Sequence, residues 1–281
     1  MKLKKIYTMA LLVTAVSTPV FAQNFNENFV GIRYGNSFAE PAIDSKISKT
    51  IFNYTHVSGD SLGKNLVNVD VLMSNKQDPS ASGGTGAQEF FGFYQRTFSL
   101  SAMTGNKTGY GFVKDISLLG RLDLETKNTT FAPQATKVRV GVVASMPVVA
   151  GFWDVSVAAV KETNHNGIII PKFKPTGERV SYDVAPVLST SWLIPVAGVG
   201  TFEGYADYVG AKGKDGFKNV PFIDSQSRAE THAQAAFMFY IGDPKNGWKV
   251  GPGIEYWNNK FGGHGAGTKQ TTALILFQYK L

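Results

Sequence analysis

Thr271-Thr272-Ala273-Leu274-Ile275-Leu276-Phe277-Gln278-Tyr279-Lys280-Leu281 ends the sequence, and its two parities differ. Ala273, Ile275, Phe277, Tyr279 and Leu281 share one side of a period-2 repeat, and Thr272, Leu274, Leu276, Gln278 and Lys280 share the other. Such alternation marks a β-strand whose two faces meet different surroundings. A soluble sandwich would bury the apolar parity in its core. A membrane barrel would turn it toward lipid. What precedes this strand decides between the two.

The opening segment carries Lys2, Lys4 and Lys5, then the apolar run Ile6 to Val16, then Val20-Phe21-Ala22 with small residues three and one positions before Gln23. A basic start, an apolar run and a small-residue cleavage site are the features of a secretory signal peptide, to be set aside from fold reasoning. The run is too short for a membrane anchor. Residues 1–22 are therefore expected to be a cleaved signal peptide and residues 23–281 a single barrel domain. No later stretch approaches the ~20 continuous apolar residues of a transmembrane helix, so a membrane-spanning form would have to be a barrel. With no cysteine, thiol catalysis, cysteine metal sites and disulfides are excluded. The formal net charge of +7 falls to about +4 without the three signal-peptide lysines, too mild and dispersed for nucleic-acid binding. Thirty glycines and 12% aromatic residues suit a β protein with many turns and ring-bearing strand faces.

Twelve strands are predicted, at 28–36, 49–57, 64–74, 88–98, 113–127, 136–146, 152–163, 179–193, 201–211, 229–241, 248–259 and 269–281. Most have the length a tilted strand needs to cross a bilayer, whereas sandwich strands are usually about 5–6 residues. The intervening segments alternate. Ser37–Ser48, Asn75–Ala87, Asn164–Glu178, Lys212–Arg228 and Lys260–Thr268 are long or polar, while Ser58–Gly63, Pro147–Gly151, Ile194–Gly200 and Gly242–Gly247 are short. Short periplasmic turns and longer external loops alternate in this way in an up-and-down barrel, and an even strand count puts both termini on the periplasmic side. Ser99–Phe112 is long for a periplasmic turn and Asn128–Ala135 is short for an external loop. The reading is an all-β, up-and-down antiparallel transmembrane barrel of about 12 strands. Its closing strand resembles the assembly signal of bacterial outer-membrane barrels, with Leu281 in place of their usual terminal Phe.

In a barrel the apolar parity faces lipid and the charged parity faces a wet lumen. Val67, Val69, Val71 and Met73 then face outward against Asn68 and Asp70, and Phe237, Phe239 and Ile241 against Glu230, His232 and Gln234. All four tryptophans, Trp153, Trp192, Trp248 and Trp257, lie near strand ends, where interfacial aromatic belts form. The expected lumen carries the aromatic residues Phe91, Phe93, Tyr205 and Trp257. Among them stand Arg33, Asp70, Arg121, Asp123, Glu203, Asp207, Glu230, His232 and Glu255. A salt-bridged interior that simply fills a small closed barrel would have the same composition.

Enzymatic and metal readings find little support. His56, His165, His232 and His264 show no zinc-type spacing, and His232 beside Glu230 is accompanied by no serine motif. The glycine-rich stretches at 83–86 and 262–265 lack the strand–turn–helix setting of a phosphate loop and read as flexible loops. No catalytic residue, metal site or cofactor is expected.

Several segments are similar to a known family. Phe93-Tyr94-Gln95-Arg96-Thr97-Phe98-Ser99-Leu100, Asp123-Leu124-Glu125-Thr126-Lys127-Asn128 and Asn164-His165-Asn166-Gly167 are three of them. Gly210-Ala211-Lys212-Gly213-Lys214-Asp215-Gly216-Phe217 and Glu255-Tyr256-Trp257-Asn258-Asn259-Lys260-Phe261-Gly262 are two more. Together they resemble the nucleoside-specific channel-forming outer-membrane family (Tsx/OmpK-like), from about residue 87 onward. The resemblance implies a monomeric twelve-stranded barrel in a Gram-negative outer membrane that admits nucleosides by facilitated diffusion, some members serving as phage or colicin receptors. Expected partners are nucleosides, outer-membrane lipid and lipopolysaccharide, and the barrel-assembly machinery acting on the C-terminal strand, with no nucleic acid. The alternatives are a closed structural or adhesive barrel acting through its external loops, and a general small-solute pore.

Overall fold

A computed structural model describes residues 25–173 and 177–281. The expected signal peptide, 1–22, lies outside the described residues. Twelve staves form the wall: β1 (Phe25–Glu40), β2 (Ile43–Asp60), β3 (Gly63–Ser74), β4 (Gln88–Ser99), β5 (Asp115–Lys127), β6 (Gln134–Ser145), β7 (Phe152–His165), β9 (Ala185–Val196), β10 (Gly200–Val209), β11 (Glu230–Tyr240), β12 (Trp248–Asn258) and β13 (Lys269–Lys280). The short strand β8 (Arg179–Ser181) pairs only with the end of β7. Each stave is antiparallel to the next. The C-terminal stretch closes the ring, β13 pairing with β1 from Phe29↔Lys280 to Tyr34↔Ile275. Among the described residues closure leaves the twelve staves without a free edge, as a structure surrounded by hydrocarbon requires, β8 alone standing outside the ring.

The parities fall as the alternation dictates. On β13, Ala273, Ile275 and Phe277 face outward, while Gln270, Thr272, Leu274 and Leu276 are buried inside. Outward positions at the strand centres carry residues such as Ile32, Phe52, Val71, Leu122, Val140 and Ile254, and no charged side chain among the described residues. That is a lipid-compatible band. At the end bearing the termini, Trp153, Trp192 and Trp248 decorate its rim, with Trp248 against Tyr279 at 4.5 Å and Trp192 against Phe202 at 5.5 Å. Trp257 departs from the expected belt and points into the lumen, stacked on His232.

Two expectations need correction, and one connection holds a helix. Ser37–Ser48 is not a long loop: β1 and β2 continue as a hairpin to a turn at Pro41-Ala42. The strand expected at 179–193 is interrupted at 182–184, leaving β8 separate from β9. The long connection after β4 contains the short helix α1 (Leu100–Thr104), whose first turn is capped by Ser99 Oγ accepting from the Ala102 N–H at 3.0 Å.

Candidate functional site

Inside the wall lies a cavity of about 400 Å³, within the usual range for ligand pockets. Its character changes along the axis. Toward the termini, Phe29, Val57, Leu66, Asp154 and Leu193 line it and stay half-exposed. At the opposite end, Lys49, Glu89, Glu125, Glu230 and Lys260 line it and are buried. The cavity therefore opens at the terminal end and is roofed at the loop end.

All thirteen sequence-predicted site residues lie on the inward parity, and twelve line the cavity. Asp123 does not. It is buried behind Arg121, whose Nε donates to it at 2.8 Å, with Arg139 Nε at 3.4 Å on its other oxygen. Apart from Glu230 at the roofed end and Glu203, the remainder form a mid-height girdle. Arg33 donates to Asp70 at 2.7 Å, and Asn53 donates to the other Asp70 oxygen at 2.7 Å. Arg139 donates to Asp207 at 3.0 Å, joining β6 to β10. Glu203 sits nearer the termini, paired with Lys249 at 3.1 Å.

The aromatic groups form two faces within this girdle. On β4, Phe93 lies 6.0 Å from Phe91 and carries the Arg121 guanidinium 3.7 Å above its ring, a cation–π contact. On β10 to β12, His232 is stacked on Trp257 at 3.8 Å with an interplanar angle of 6°, and the Tyr205 hydroxyl lies 3.1 Å from His232 Nε2. Glu255 accepts from Gln270 at 2.7 Å and lies 3.7 Å from His232. Arg33 Nε, Gln234 Oε1, Glu230 Oε2 and Trp257 Nε1 have no protein partner. Buried polar groups are rarely left so, and these offer donors and acceptors to a solute or water in the lumen.

The sequence reading missed two features. One is an apolar plaque on each inner wall: Leu119, Val143, Val160, Val187 and Val209 on one side, and Ile51, Met238, Leu274 and Leu276 on the other. The inward parity was expected to be polar, yet apolar pairs can tile a lumen wall where they cover one another. The other is the roof. Glu40 accepts from Lys49, from Lys127 at 3.0 Å and from Lys260 at 2.9 Å, while Lys127 also meets Asp78 at 2.8 Å and Lys49 meets Glu89 at 3.1 Å. Lys212 reaches Glu162 at 2.7 Å beside them. Arg139 and Lys137 could have been found, since they share the inward parity of β6; Glu40 could not, because its segment reads as a loop.

Three of the five family-like segments converge here. Asn166 is buried where a Cβ on Gly216 would meet its Nδ2, and Lys212 Nζ reaches toward the Phe261 carbonyl at 3.4 Å. Residues 164–167, 210–217 and 255–262 thus meet at one end of the barrel. Among the described residues, no group of three or more His, Asp or Glu side chains is placed to hold a metal ion.

No protein-family model and no curated protein sequence matches the chain. Solved structures do. An outer-membrane channel from Pseudomonas putida F1 aligns with a TM-score of 0.53 at 10% identity, over 95% of this chain and 100% of that one. The NanC porin aligns with a TM-score of 0.48 at 9% identity, over 90% and 100% of the two chains. The translocator domain of the autotransporter NalP from Neisseria meningitidis gives 0.48 at 9% identity, over 90% and 88%. At such identities the likeness is one of fold: a closed twelve-stranded antiparallel barrel of the outer-membrane type.

Proposed function

We propose that this barrel sits in the outer membrane of a Gram-negative bacterium and is a channel for facilitated diffusion of nucleosides. The lipid-compatible outer band and the closed ring support the location. The observation that carries the ligand class is the girdle, in which the Phe91/Phe93 and Tyr205/His232/Trp257 faces stand among amide, carboxylate and guanidinium groups with unsatisfied donors and acceptors. A base would stack on the rings and the sugar hydroxyls would meet Gln234, Arg33 and the carboxylates. Each contact is individually weak, as release on the far side demands. No covalent chemistry and no energy input enter this mechanism.

The test is solute entry into liposomes carrying the purified protein, with adenosine, thymidine and uridine compared with sugars and amino acids of similar size. Nucleosides are expected to enter faster and to compete with one another. Phe93→Ala removes one stacking face, worth about 1–3 kcal/mol, and should raise the half-saturating nucleoside concentration by roughly tenfold. Asp207→Ala should also weaken saturation. Equal entry of sugars and nucleosides would leave only a general small-solute pore.

A second reading has its own support. The buried ionic roof closes the loop end, as expected of a structural or adhesive barrel that meets phage, colicin or a host surface through its loops. Absence of entry by any solute would favour it.

A further inference from the structure

The roof is made largely by one peninsula of the wall. The β1–β13 ladder ends at Tyr34↔Ile275, and the β2–β3 ladder begins at Lys49↔Ser74. Between these points, residues 36–47 find their ladder partners only within the tip, while Gly35 pairs with Lys49 and the Ser48 carbonyl accepts from the Asn75 N–H at 3.0 Å beside the Lys49 base. Two register shifts, at Gly35/Phe38 and Phe38/Glu40, bend this tip. At the base of the bend, a Cβ on Gly35 would lie 2.6 Å from Thr272 Cγ2, so the backbone passes against β13 as only glycine allows. The tip leans inward. Phe38 and Ile47 rest on Ala236, Met238, Leu274 and Leu276, the plaque on the inner wall.

Glu40 then fastens the tip across the lumen. β1 and β5 are four strand spacings apart, about 19 Å along the wall. The bond from Glu40 to Lys127 at the end of β5 therefore runs across the opening and not along the wall. Lys49 comes from β2 and Lys260 from the turn after β12, so three lysines from three sectors converge on one carboxylate. Beyond these ionic contacts, the tip is tied to neighbouring sectors by hydrogen bonds from the Ala39 N–H to Gln270 Oε1 at 3.1 Å, from Lys260 Nζ to the Ala39 carbonyl at 2.9 Å and from the Ala42 N–H to the Ala266 carbonyl at 3.1 Å. Glu40, Asp78 and Glu89 balance Lys49, Lys127 and Lys260. Withdrawing Glu40 leaves three ammonium groups facing two carboxylates in this cluster.

We propose that residues 35–48 form a tethered gate over the loop end of the lumen, hinged at Gly35 and Lys49, with Glu40 as its latch. The inference rests on the channel reading but not on the identity of the solute, so its test uses ion current. The chain has no cysteine, which makes an Ala42→Cys/Ala266→Cys pair a clean lock. Single-channel conductance in planar bilayers is measured for the locked barrel before and after reduction, with the disulfide verified by mass spectrometry. Reduction is expected to raise the open fraction at least tenfold, and Glu40→Gln to raise it severalfold without a lock. Should Glu40→Gln fold poorly, as judged by heat-modifiable mobility in detergent gels, a barrel with residues 37–47 replaced by two glycines is expected to stay open. Current indifferent to both lock and deletion overturns the gate while leaving the channel standing. No current from any variant, the deletion included, overturns both.

Discussion

Lys212 and Lys280 show how differently one residue type behaves in two places. The Lys212–Glu162 pair at 2.7 Å is 2% and 5% exposed, whereas Lys280–Glu27, also at 2.7 Å, is 46% and 39% exposed. Removing one partner of a buried pair leaves the other charge stranded, at a cost of about 3–5 kcal/mol, while an exposed pair contributes about 0–1 kcal/mol. Lys212→Ala should therefore shift the urea unfolding midpoint in detergent strongly, and Lys280→Ala hardly at all. Equal shifts would mean that water reaches the roof. The inward direction of the thirteen lumen residues was legible because period 2 needs no partner information, and the staves that carry them keep an unbroken register around them. Their contacts were not legible. Nothing local to Arg139 says that it reaches Asp207 across three strand spacings, since that distance is set by ring closure.

Strand β13 allows the lipid assignment to be tested on one element. Ile275 faces outward at the centre of the apolar parity and Leu276 packs inside. Ile275→Arg should destabilise the barrel in bilayers by about 2–4 kcal/mol, the range for arginine at the midplane. Unfolding titrations from lipid vesicles measure it, and a shift near zero would put Ile275 outside the hydrocarbon. The connection from β10 to β11 makes a different demand. Asp224 is held below its ordinary value by the Gln226 N–H first, then by Arg228 and His264. A lowered carboxylate contributes order above its unfolded value of 3.8 and loses it as pH falls through that region. Residues 224–228 should loosen below about pH 4, seen as faster proteolytic nicking relative to Asp224→Asn, in which no such acid step is expected. Strand positions were read well wherever alternation ran uninterrupted. They were misread at residues 37–40 and 43–48, which flank the Pro41-Ala42 turn and read together as one polar connection. There the strand is sustained by its hairpin partner and by burial of Phe38 and Ile47, neither of which a local window contains.

For the molecule as a whole, sandwich and barrel share one alternation, and only strand length, loop rhythm and the basic, apolar N-terminus separated them. Closure of β13 on β1 settles that question. It also fixes an asymmetry between the two ends, with half-exposed lining toward the termini and buried ion pairs beneath the loops. A chamber with one door and one wall has a sidedness that a straight pore lacks. On the proposed channel reading, molecules arriving from the terminal side dwell in the girdle and leave by the way they came, so occupancy at equilibrium and net passage become separate quantities. On that same reading the wall gives the two bathing compartments unequal access to the same rings, and the barrel would serve as a reservoir facing one compartment for as long as the roof stays shut.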